Sequence, residues 1–225
     1  MKNAAAVVNF LVVFTVVALS LGAASAETLD FTRTTVDDSF IAYISTSNGT
    51  VGTFYYSAGC CGTSAPNVTV TLTPGLDYFI QIVAINDGGA GGWGGQFKLS
   101  GGNDHFINGT STEDTAITPS DWLASDGKAI GTSWANSPLS YTALQESNSG
   151  NPYAGLGLLW SPGPNAGPNP GFWNGQCQNC QVDFSTEILA PIPEPSTTMD
   201  LLGSGAFASL GLMLYGRLRQ KLFRR

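Results

Sequence analysis

Apolar and polar residues alternate with a period of two along much of the middle of the chain. Val68, Val70 and Leu72 alternate with threonines, and residues 40–45 repeat the pattern less strictly. Such a period places successive side chains on opposite faces and predicts half-buried strands. Residues 78–85 form a continuous apolar run, which predicts the most buried strand. Further strands are expected at residues 52–56, 95–100, 156–160 and 182–189.

The segments between these strands are rich in turn-forming residues. Pro74-Gly75 precedes the apolar run and Asn86-Asp87-Gly88-Gly89 follows it, and both sequences favour tight turns. No stretch between residues 27 and 190 carries a long apolar stripe with the helical period of 3.6. Many short strands separated by turns predict an all-β body over residues 27–190, a single antiparallel β-sandwich or jelly roll.

The N-terminal segment has the three parts of a secretory signal peptide. It begins with Lys2, continues as an apolar run over residues 4–21, and ends in Ala24-Ser25-Ala26. A positive start, an apolar core and an A-x-A cleavage site are typical of such peptides. We therefore predict a signal peptide over residues 1–26, with Ala24 and Ala26 as the small residues of the cleavage site. An uncleaved N-terminal anchor is the alternative.

The C-terminal segment combines a proline-rich start, an apolar stretch and a basic tail. Pro193-Glu194-Pro195 precedes residues 197–216, which as a helix would be about 30 Å long and would cross a membrane. Lys and Arg beside a span resist translocation, so the tail is expected in the cytoplasm and the body outside. The tail carries Arg217, Arg219, Lys221, Arg224 and Arg225.

This order of parts resembles the PEP-CTERM sorting signal of Gram-negative bacteria that make exopolysaccharide. The resemblance covers residues 191–225 and rests on Pro193-Glu194-Pro195, the span and the Arg-rich end. It implies a membrane processing enzyme of the exosortase type as a partner, which recognises the tripeptide. It also implies a membrane-anchored precursor that is then delivered to the cell surface or extracellular matrix. A plain single-pass anchor is the alternative.

Parts of the body are similar to galactose-binding-like jelly-roll modules. The similarity rests on Asp37-Asp38-Ser39-Phe40, on Thr71-Leu72-Thr73-Pro74-Gly75, and on Gln96-Phe97-Lys98-Leu99-Ser100 after a glycine-rich turn. In such modules an acidic pair opens a strand that carries a displayed loop. The resemblance implies a jelly roll over about 150 residues. Four further segments are similar to a pattern in exported PEP-CTERM proteins: Asp121-Trp122, Trp134, Leu159-Trp160, and Phe184-Ser185-Thr186-Glu187-Ile188.

Charges are few and unevenly placed. Charged residues make up 11% of the chain, and the segment from Glu27 to Glu194 contains fifteen acidic residues against three basic ones. A nucleic-acid-binding surface needs clustered Lys or Arg to displace counterions from phosphates. The acid-rich body therefore excludes nucleic acid as a partner. Its frequent Ser, Thr and Asn side chains are compatible with contact to extracellular polysaccharide.

Four cysteines occur as Cys60-Cys61 and as the pair Cys177 and Cys180. Export to an oxidising compartment makes disulfides the first interpretation, and four cysteines allow three pairings. The preferred pairing is local, Cys60 with Cys61 and Cys177 with Cys180. A bridge between adjacent cysteines is strained, so two cross-links between the segments stay open. A four-thiolate zinc site is disfavoured, because adjacent cysteines are poorly placed for tetrahedral ligation.

Three residues are candidates for ligand contact: Asp37, Asp38 and Trp93. The glycine-rich residues 88–95 lack the lysine of a phosphate loop and predict a flexible hairpin end that presents Trp93. An exposed tryptophan would suit a sugar ring, and a packed tryptophan is the alternative. No cofactor is expected, and the remaining metal hypothesis is a calcium ion held by loop oxygens. Its candidate ligands are Asp37, Asp38, Asn86, Asp87 and Asp104.

The sequence assigns no catalytic residue. His105 is the single histidine, and no partner stands at a spacing typical of a triad. The fifteen acidic residues offer many carboxylate pairs, and nothing singles out one of them. We therefore expect an exported, non-catalytic surface or matrix protein whose β-sandwich binds or embeds in extracellular polysaccharide. The alternatives are a structural matrix component with no defined ligand and a polysaccharide-modifying enzyme.

Overall fold

The computed structural model describes residues 26–59, 62–64, 66–87, 92–145, 158–163 and 179–191. These residues belong to a compact unit that runs from Ala24 to Pro191. The signal peptide up to residue 25, the Pro193-Glu194-Pro195 motif, the predicted span and the basic tail lie outside the described residues, so these predictions stay predictions. Within the described ranges no helix has the length and apolar character needed to cross a membrane.

The described residues form β-strands and two 3₁₀ turns, at Pro119–Asp121 and Trp134–Asn136. The strands, in chain order, are β1 (Glu27–Asp37), β2 (Ser39–Ser45), β3 (Thr53–Gly59), β4 (Gly62–Ser64), β5 (Val68–Leu72), β6 (Tyr78–Asn86), β7 (Gly92–Ser100), β8 (His105–Phe106), β9 (Thr112–Asp114), β10 (Leu123–Ser125), β11 (Lys128–Ala129), β12 (Leu139–Thr142), β13 (Leu144–Gln145), β14 (Leu159–Trp160) and β15 (Cys180–Leu189).

The strands form two antiparallel sheets. The first sheet has the order β13-β14-β7-β1-β4, with β5 also beside β1 and β9 beside β7. The second sheet has the order β12-β10-β15-β6-β2-β3, with β8 and β11 beside β15. The prediction of an all-β body with antiparallel sheets is confirmed.

Inward-facing side chains of both sheets build one hydrophobic core. Leu29 and Phe31 come from β1 of the first sheet, and Ile80, Ile82 and Phe184 come from β6 and β15 of the second; each is at most 1% exposed. Burying a side chain of this size contributes about 1.5–3 kcal/mol. A core shared by two sheets is the arrangement of a β-sandwich.

β1 could not be predicted from the sequence, because a bulge interrupts its alternation of apolar and polar residues. The register between β1 and β7 shifts between Phe31 and Arg33. Leu29 and Phe31 are buried before the bulge, and Thr34 and Val36 are buried after it. An extra residue reverses which positions face inward, so no period of two runs through the segment. The neighbour of β1 changes at the same place, from β5 before the bulge to β4 after it.

The most buried strand is β15, and the expectation that residues 78–85 hold that place is wrong. All positions from Cys180 to Thr186 are buried, whereas β6 alternates between buried and half-buried positions along part of its length. The polar outer face of β15 is covered by the segment between β10 and β12. Gln181 shows this cover, because its Oε1 accepts the Gly131 N–H and its Nε2 donates to the Thr132 carbonyl oxygen. Polar residues therefore mark a covered face here.

Candidate functional site

Trp93 lies in the core, and the prediction that it is displayed on a hairpin end is wrong. Its side chain is 0% exposed. Its ring centroid is 5.0 Å from that of Trp122, 5.9 Å from that of Phe40 and 6.0 Å from that of Phe97. Phe40 belongs to the second sheet and Trp93 to the first, so the indole joins the sheets. The packed alternative is the one the structure adopts.

The glycines beside Trp93 provide space for rings. β7 begins at Gly92 and not at residue 95, so part of the glycine-rich run is regular strand. Trp93, Gly95 and Phe97 are every second residue of β7 and therefore lie on the same face of the strand. A Cβ on Gly95 would lie 2.8 Å from Trp93 Cζ2 and 2.9 Å from Phe97 Cε2. Such a distance is shorter than any ordinary carbon contact. A glycine needed for close packing and a glycine in a flexible turn look alike in a sequence.

The acidic residues proposed for ligand binding or calcium do not all lie together. Asp38 follows β1 with a φ of 27°, and its Oδ2 accepts the Asp87 N–H at 2.6 Å. Asp104 lies near the other end of β1, where its N–H donates to Glu27 Oε2 at 3.1 Å. The Asp37 side chain is not described. Among the described side chains, no group of three His, Cys, Asp or Glu residues is arranged to hold a metal.

Of the predicted disulfide residues, Cys180 alone belongs to the described part of the chain. It begins β15 opposite Asn86 of β6 and is 7% exposed. Cys60, Cys61 and Cys177 lie outside the described residues. The disulfide pairing therefore stays a prediction.

A groove of about 540 Å³ opens between the two sheets at the β2–β3 hairpin and β5. Ile44 and Tyr55 line it from the second sheet, and Val70 and Leu72 line it from the first. Tyr78, the first residue of β6, also lines it. Pockets of roughly 300–1,000 Å³ are the size that holds small ligands. We call this cavity the sheet-edge groove. Its other lining residues are Ser45, Thr46, Val51, Gly52, Thr53, Thr71 and Thr73.

The sheet-edge groove is rich in hydroxyl groups and has no charged side chain. Seven of its twelve lining residues carry a hydroxyl, and none of the twelve is Asp, Glu, Lys, Arg or His. The tyrosines add flat rings, which can pack against an apolar face while the phenol oxygen stays hydrogen-bonded. Tyr78 shows this arrangement, since its hydroxyl oxygen accepts the Thr73 N–H at 2.8 Å. The hydroxyl-bearing residues are Ser45, Thr46, Thr53, Tyr55, Thr71, Thr73 and Tyr78.

A buried glutamine fixes the wall of the groove. Gln81 of β6 is 0% exposed and lies beneath the loop between β2 and β3. Its Oε1 accepts the Gly52 N–H at 2.9 Å, and its Nε2 donates to the carbonyl oxygens of Ser47 at 3.2 Å and Thr50 at 2.9 Å. A buried amide with three such partners holds a loop in one conformation. The groove is therefore formed before any ligand arrives.

Two deeply buried carboxyls lie outside the groove. Glu113 of β9 accepts hydrogen bonds from Trp122 Nε1 at 2.8 Å, Thr118 Oγ1 at 2.5 Å and Asn108 Nδ2 at 2.8 Å. Burial nevertheless raises the pKa of Glu113 to about 7. Burial likewise raises the pKa of Asp183 to about 6, against the effect of a hydrogen bond from Gln181. Neither carboxyl lines the groove, whose chemistry is that of hydrogen bonding and ring contact.

Both ends of the described body lie beside one short segment. Glu27, where β1 begins, accepts a hydrogen bond from the Asp104 N–H, and Leu189, where β15 ends, pairs with His105. Burial and the neighbouring Glu27 raise the pKa of Asp104, while His105 lowers it. His105 thus lies beside an acidic residue, at the place where the start of β1 and the end of β15 contact the same segment.

No pattern in the sequence marks the groove residues as a site. Residues 52–56 were expected to form a strand, and β3 does run from Thr53 to Gly59, so Tyr55 had been assigned to a strand but not to a site. A weak signal existed: Tyr55 and Tyr78 are aromatic residues at strand positions, and Tyr55 lies two residues after Thr53. Comparison with protein-family models, with curated proteins and with solved structures finds no match to this chain.

Proposed function

We propose that this chain is an exported, non-catalytic surface or matrix protein whose body binds neutral polysaccharide in the sheet-edge groove. The observation that carries the proposal is the lining of the groove, which has seven hydroxyl-bearing residues, two of them tyrosines, and no charged side chain. Sugars present hydroxyl groups at their edges and C–H groups on their faces. A groove with hydroxyls and flat rings matches both.

The charge of the body supports a neutral ligand over an acidic one. Fifteen acidic residues stand against three basic ones between Glu27 and Glu194. A surface of this sign repels polyanions such as uronic-acid polymers. An uncharged groove on an acidic body therefore favours the neutral stretches of an extracellular polysaccharide.

The proposal includes sorting through the C-terminal segment. A chain resembling PEP-CTERM proteins would be exported by its signal peptide, held in the membrane by residues 197–216, and processed by an exosortase-type enzyme at Pro193-Glu194-Pro195. The limits of the fold support this division, since β1 begins at Glu27 and β15 ends at Leu189. Strands thus start directly after the proposed signal peptide and stop shortly before the proposed sorting motif.

Replacing Tyr55 by Ala is expected to weaken polysaccharide binding about tenfold, which corresponds to loss of roughly 1.4 kcal/mol from one ring contact. Affinity electrophoresis of the exported, purified full chain through gels with soluble β-glucan, mannan, galactomannan or alginate measures the change. Binding to at least one neutral polymer and none to the anionic alginate is expected.

Phe54→Ala is the matched control for Tyr55→Ala. Phe54 is the neighbouring aromatic of β3, is 57% exposed and does not line the groove; its ring contacts Tyr43 instead. Its replacement is expected to leave binding unchanged. Loss of binding in Phe54→Ala with retention in Tyr55→Ala would move the site to the other face of β3. No retardation by any neutral polymer would favour the structural matrix component without a ligand.

Replacing Pro193 and Pro195 by Ala is expected to leave the full-length protein in the membrane fraction of the host cell, because the processing enzyme loses its recognition sequence. The wild-type protein should instead appear at the surface without its basic tail. Cell fractionation and mass spectrometry of the intact protein measure this difference, and Pro191→Ala, outside the motif, is the control. Equal processing of all three proteins, or full-length wild type in the cytosol, would refute the sorting proposal.

A further inference from the structure

β3 lies at one end of the second sheet, and none of the described strands pairs with its outer edge. It is seven residues long, whereas the strands at the other sheet ends, β4, β12 and β13, have three, four and two residues. No position of β3 is buried, and Thr53, Phe54, Ser57 and Gly59 are exposed. The outer side of such a strand offers backbone N–H and C=O groups to a further strand.

β3 lacks most of the features that keep an edge strand from pairing. Edge strands of soluble proteins are usually protected by short length, by Lys or other charged side chains, by proline or by a bulge. β3 contains no charged residue and no proline, and residues 39–76 contain no Asp, Glu, Lys, Arg or His at all. Its one protective feature is a bulge at Tyr55, which leaves residues 56–59 in regular register with β2.

Apolar side chains cover the outer face of the second sheet beside β3. Ile41 of β2 pairs with Val83 of β6, and Tyr43 of β2 pairs with Phe54 of β3, whose ring centroid is 6.3 Å away. The β2 and β6 positions alternate with buried ones, so they face outward, and Phe54 is 57% exposed. We call Ile41, Tyr43, Phe54, Val83 and Ile85 the outer apolar patch. The outer face of an antiparallel sheet is normally polar, so this patch indicates a contact surface.

The charge of the body determines which partner fits this surface. Fifteen acidic residues stand against three basic ones between Glu27 and Glu194, so two copies of the body repel each other over most of their surfaces. β3 and the outer apolar patch carry no charge, and two copies can approach there without that repulsion. Two antiparallel copies of one strand are also self-complementary about a twofold axis. A second copy of this chain is therefore the partner that fits.

We propose that two copies of the chain pair through β3, antiparallel about a twofold axis, which joins their second sheets into one continuous sheet. The axis is perpendicular to the sheet, so the outer apolar patches of both copies lie on the same face and adjoin at the joint. A single strand pair is a small interface compared with the roughly 1,200 Å² of stable complexes, so we expect a dissociation constant on the order of 50 µM. This contact goes beyond polysaccharide binding, because it links copies of the protein to each other.

Sedimentation equilibrium of the exported, purified chain over about 2 to 200 µM tests the proposal, with a concentration-dependent shift from monomer to dimer as the expected result. Ser57→Asp is expected to weaken the dimer at least tenfold, because it adds a like charge to each side of the joint. Phe54→Ala is expected to weaken it about fivefold through the loss of apolar contact. Ser140→Asp is the matched control, since it adds the same charge at an exposed serine of β12, the strand at the other end of the same sheet.

Hydrogen exchange distinguishes pairing through β3 from contact elsewhere. The amides of residues 57–59 are expected to exchange more slowly as the protein concentration rises, whereas those of β12 stay unchanged. A single monomer mass at all concentrations would overturn the proposal. So would a dimer that Ser57→Asp and Ser140→Asp affect equally, or a dimer without slower exchange in β3.

The dimer proposal and the polysaccharide proposal fail separately, because they use different side chains of β3. Tyr55 lines the sheet-edge groove, whereas Phe54 lies in the outer apolar patch. Tyr55→Ala is expected to lose polysaccharide and keep the dimer, and Phe54→Ala the reverse, with polysaccharide binding measured at protein concentrations below the dissociation constant of the dimer. If no neutral polymer binds and Ser57→Asp still weakens the dimer, the groove proposal fails alone. If mannan or β-glucan binds through Tyr55 and the protein stays monomeric, the dimer proposal fails alone.

Discussion

Replacing Trp93 by Ala is expected to lower the free energy of unfolding by about 4 kcal/mol, the range found when a large buried aromatic residue is removed. Trp93 is 0% exposed and contacts rings from both sheets, including Trp122, Phe97 and Phe184. The cavity cannot close easily, because Gly95 beside it has no side chain to move into the space. Urea unfolding followed by far-UV circular dichroism measures the change, with a loss below about 1 kcal/mol contradicting it.

A matched pair of substitutions separates the ring from its N–H group. Trp93 Nε1 is buried without a partner, whereas Trp122 Nε1 donates to Glu113 Oε1. Trp93→Phe therefore loses ring volume but also removes an unsatisfied donor, while Trp122→Phe loses ring volume and a hydrogen bond to a carboxyl. We expect Trp122→Phe to be the more destabilising by about 2 kcal/mol. Equal losses would mean that the Trp93 N–H is satisfied by water.

The same substitution bears on function. If Trp93 were a sugar-binding residue, as its setting among glycines first indicated, Trp93→Phe would weaken binding while leaving the fold intact. From its buried position we expect the opposite, a lower stability and unchanged affinity for polysaccharide well below the unfolding transition. Phe54→Ala, at an exposed aromatic, is expected to change stability by no more than about 0.5 kcal/mol.

Strands with regular alternation were predictable from the sequence, and those with a covered or interrupted face were not. β5 was predicted within one residue of its bounds, and β6 likewise, because their alternation or apolar content is continuous. β1 was missed because of its bulge at Phe31–Arg33. The burial of the inner glycines of β7 and of the polar face of β15 could not be predicted for a related reason. Local composition gives the residue type, whereas burial depends on what packs over each residue.

The candidate sites depend on contacts between distant segments, and no local pattern contains that information. The sheet-edge groove requires β5 to pair with β1 and β3 to pair with β2, which places Tyr55 opposite Val70 and Leu72. The hydrogen bond from Trp134 Nε1 to the Asn48 carbonyl oxygen likewise joins residues 86 positions apart. A sequence alone shows aromatic and hydroxyl residues but not which of them share a cavity.

Raising the pH from about 4.5 to 8 is expected to destabilise the protein, and Glu113 is expected to contribute about 3 kcal/mol of this loss. Burial raises the pKa of Glu113 from 4.5 to about 7 in the folded protein. Between these values the folded state binds a proton that the unfolded state has released, so stability falls as the pH rises. The contribution is fully present below pH 4.5 and is lost above pH 7. Asp183, with a pKa of about 6, acts in the same direction over a lower range.

Glu113→Gln is expected to flatten the stability profile between about pH 4.5 and 7, because an amide does not titrate. Its Oε1 can still accept from Trp122 and Thr118, while its amide group faces the Asn108 amide and makes the variant somewhat less stable at low pH. The slope with pH is therefore the decisive quantity. Urea unfolding at half-unit steps from pH 4.5 to 8 measures it, and Asp87→Asn, at an exposed carboxylate, is the control with an unchanged slope.

The opposite slope in wild type would mean that the three donors around Glu113 outweigh its burial. In that case Trp122, Thr118 and Asn108 would hold the carboxylate in its charged form, and stability would rise with pH in the acidic range. Trp122→Phe tests whether burial or the hydrogen-bond donors dominate. If burial dominates, removing one donor raises the pKa of Glu113 further and moves the pH-dependent loss of stability to higher pH. If burial dominates as expected, acidification from pH 7 towards pH 4.5 stabilises this acid-rich body.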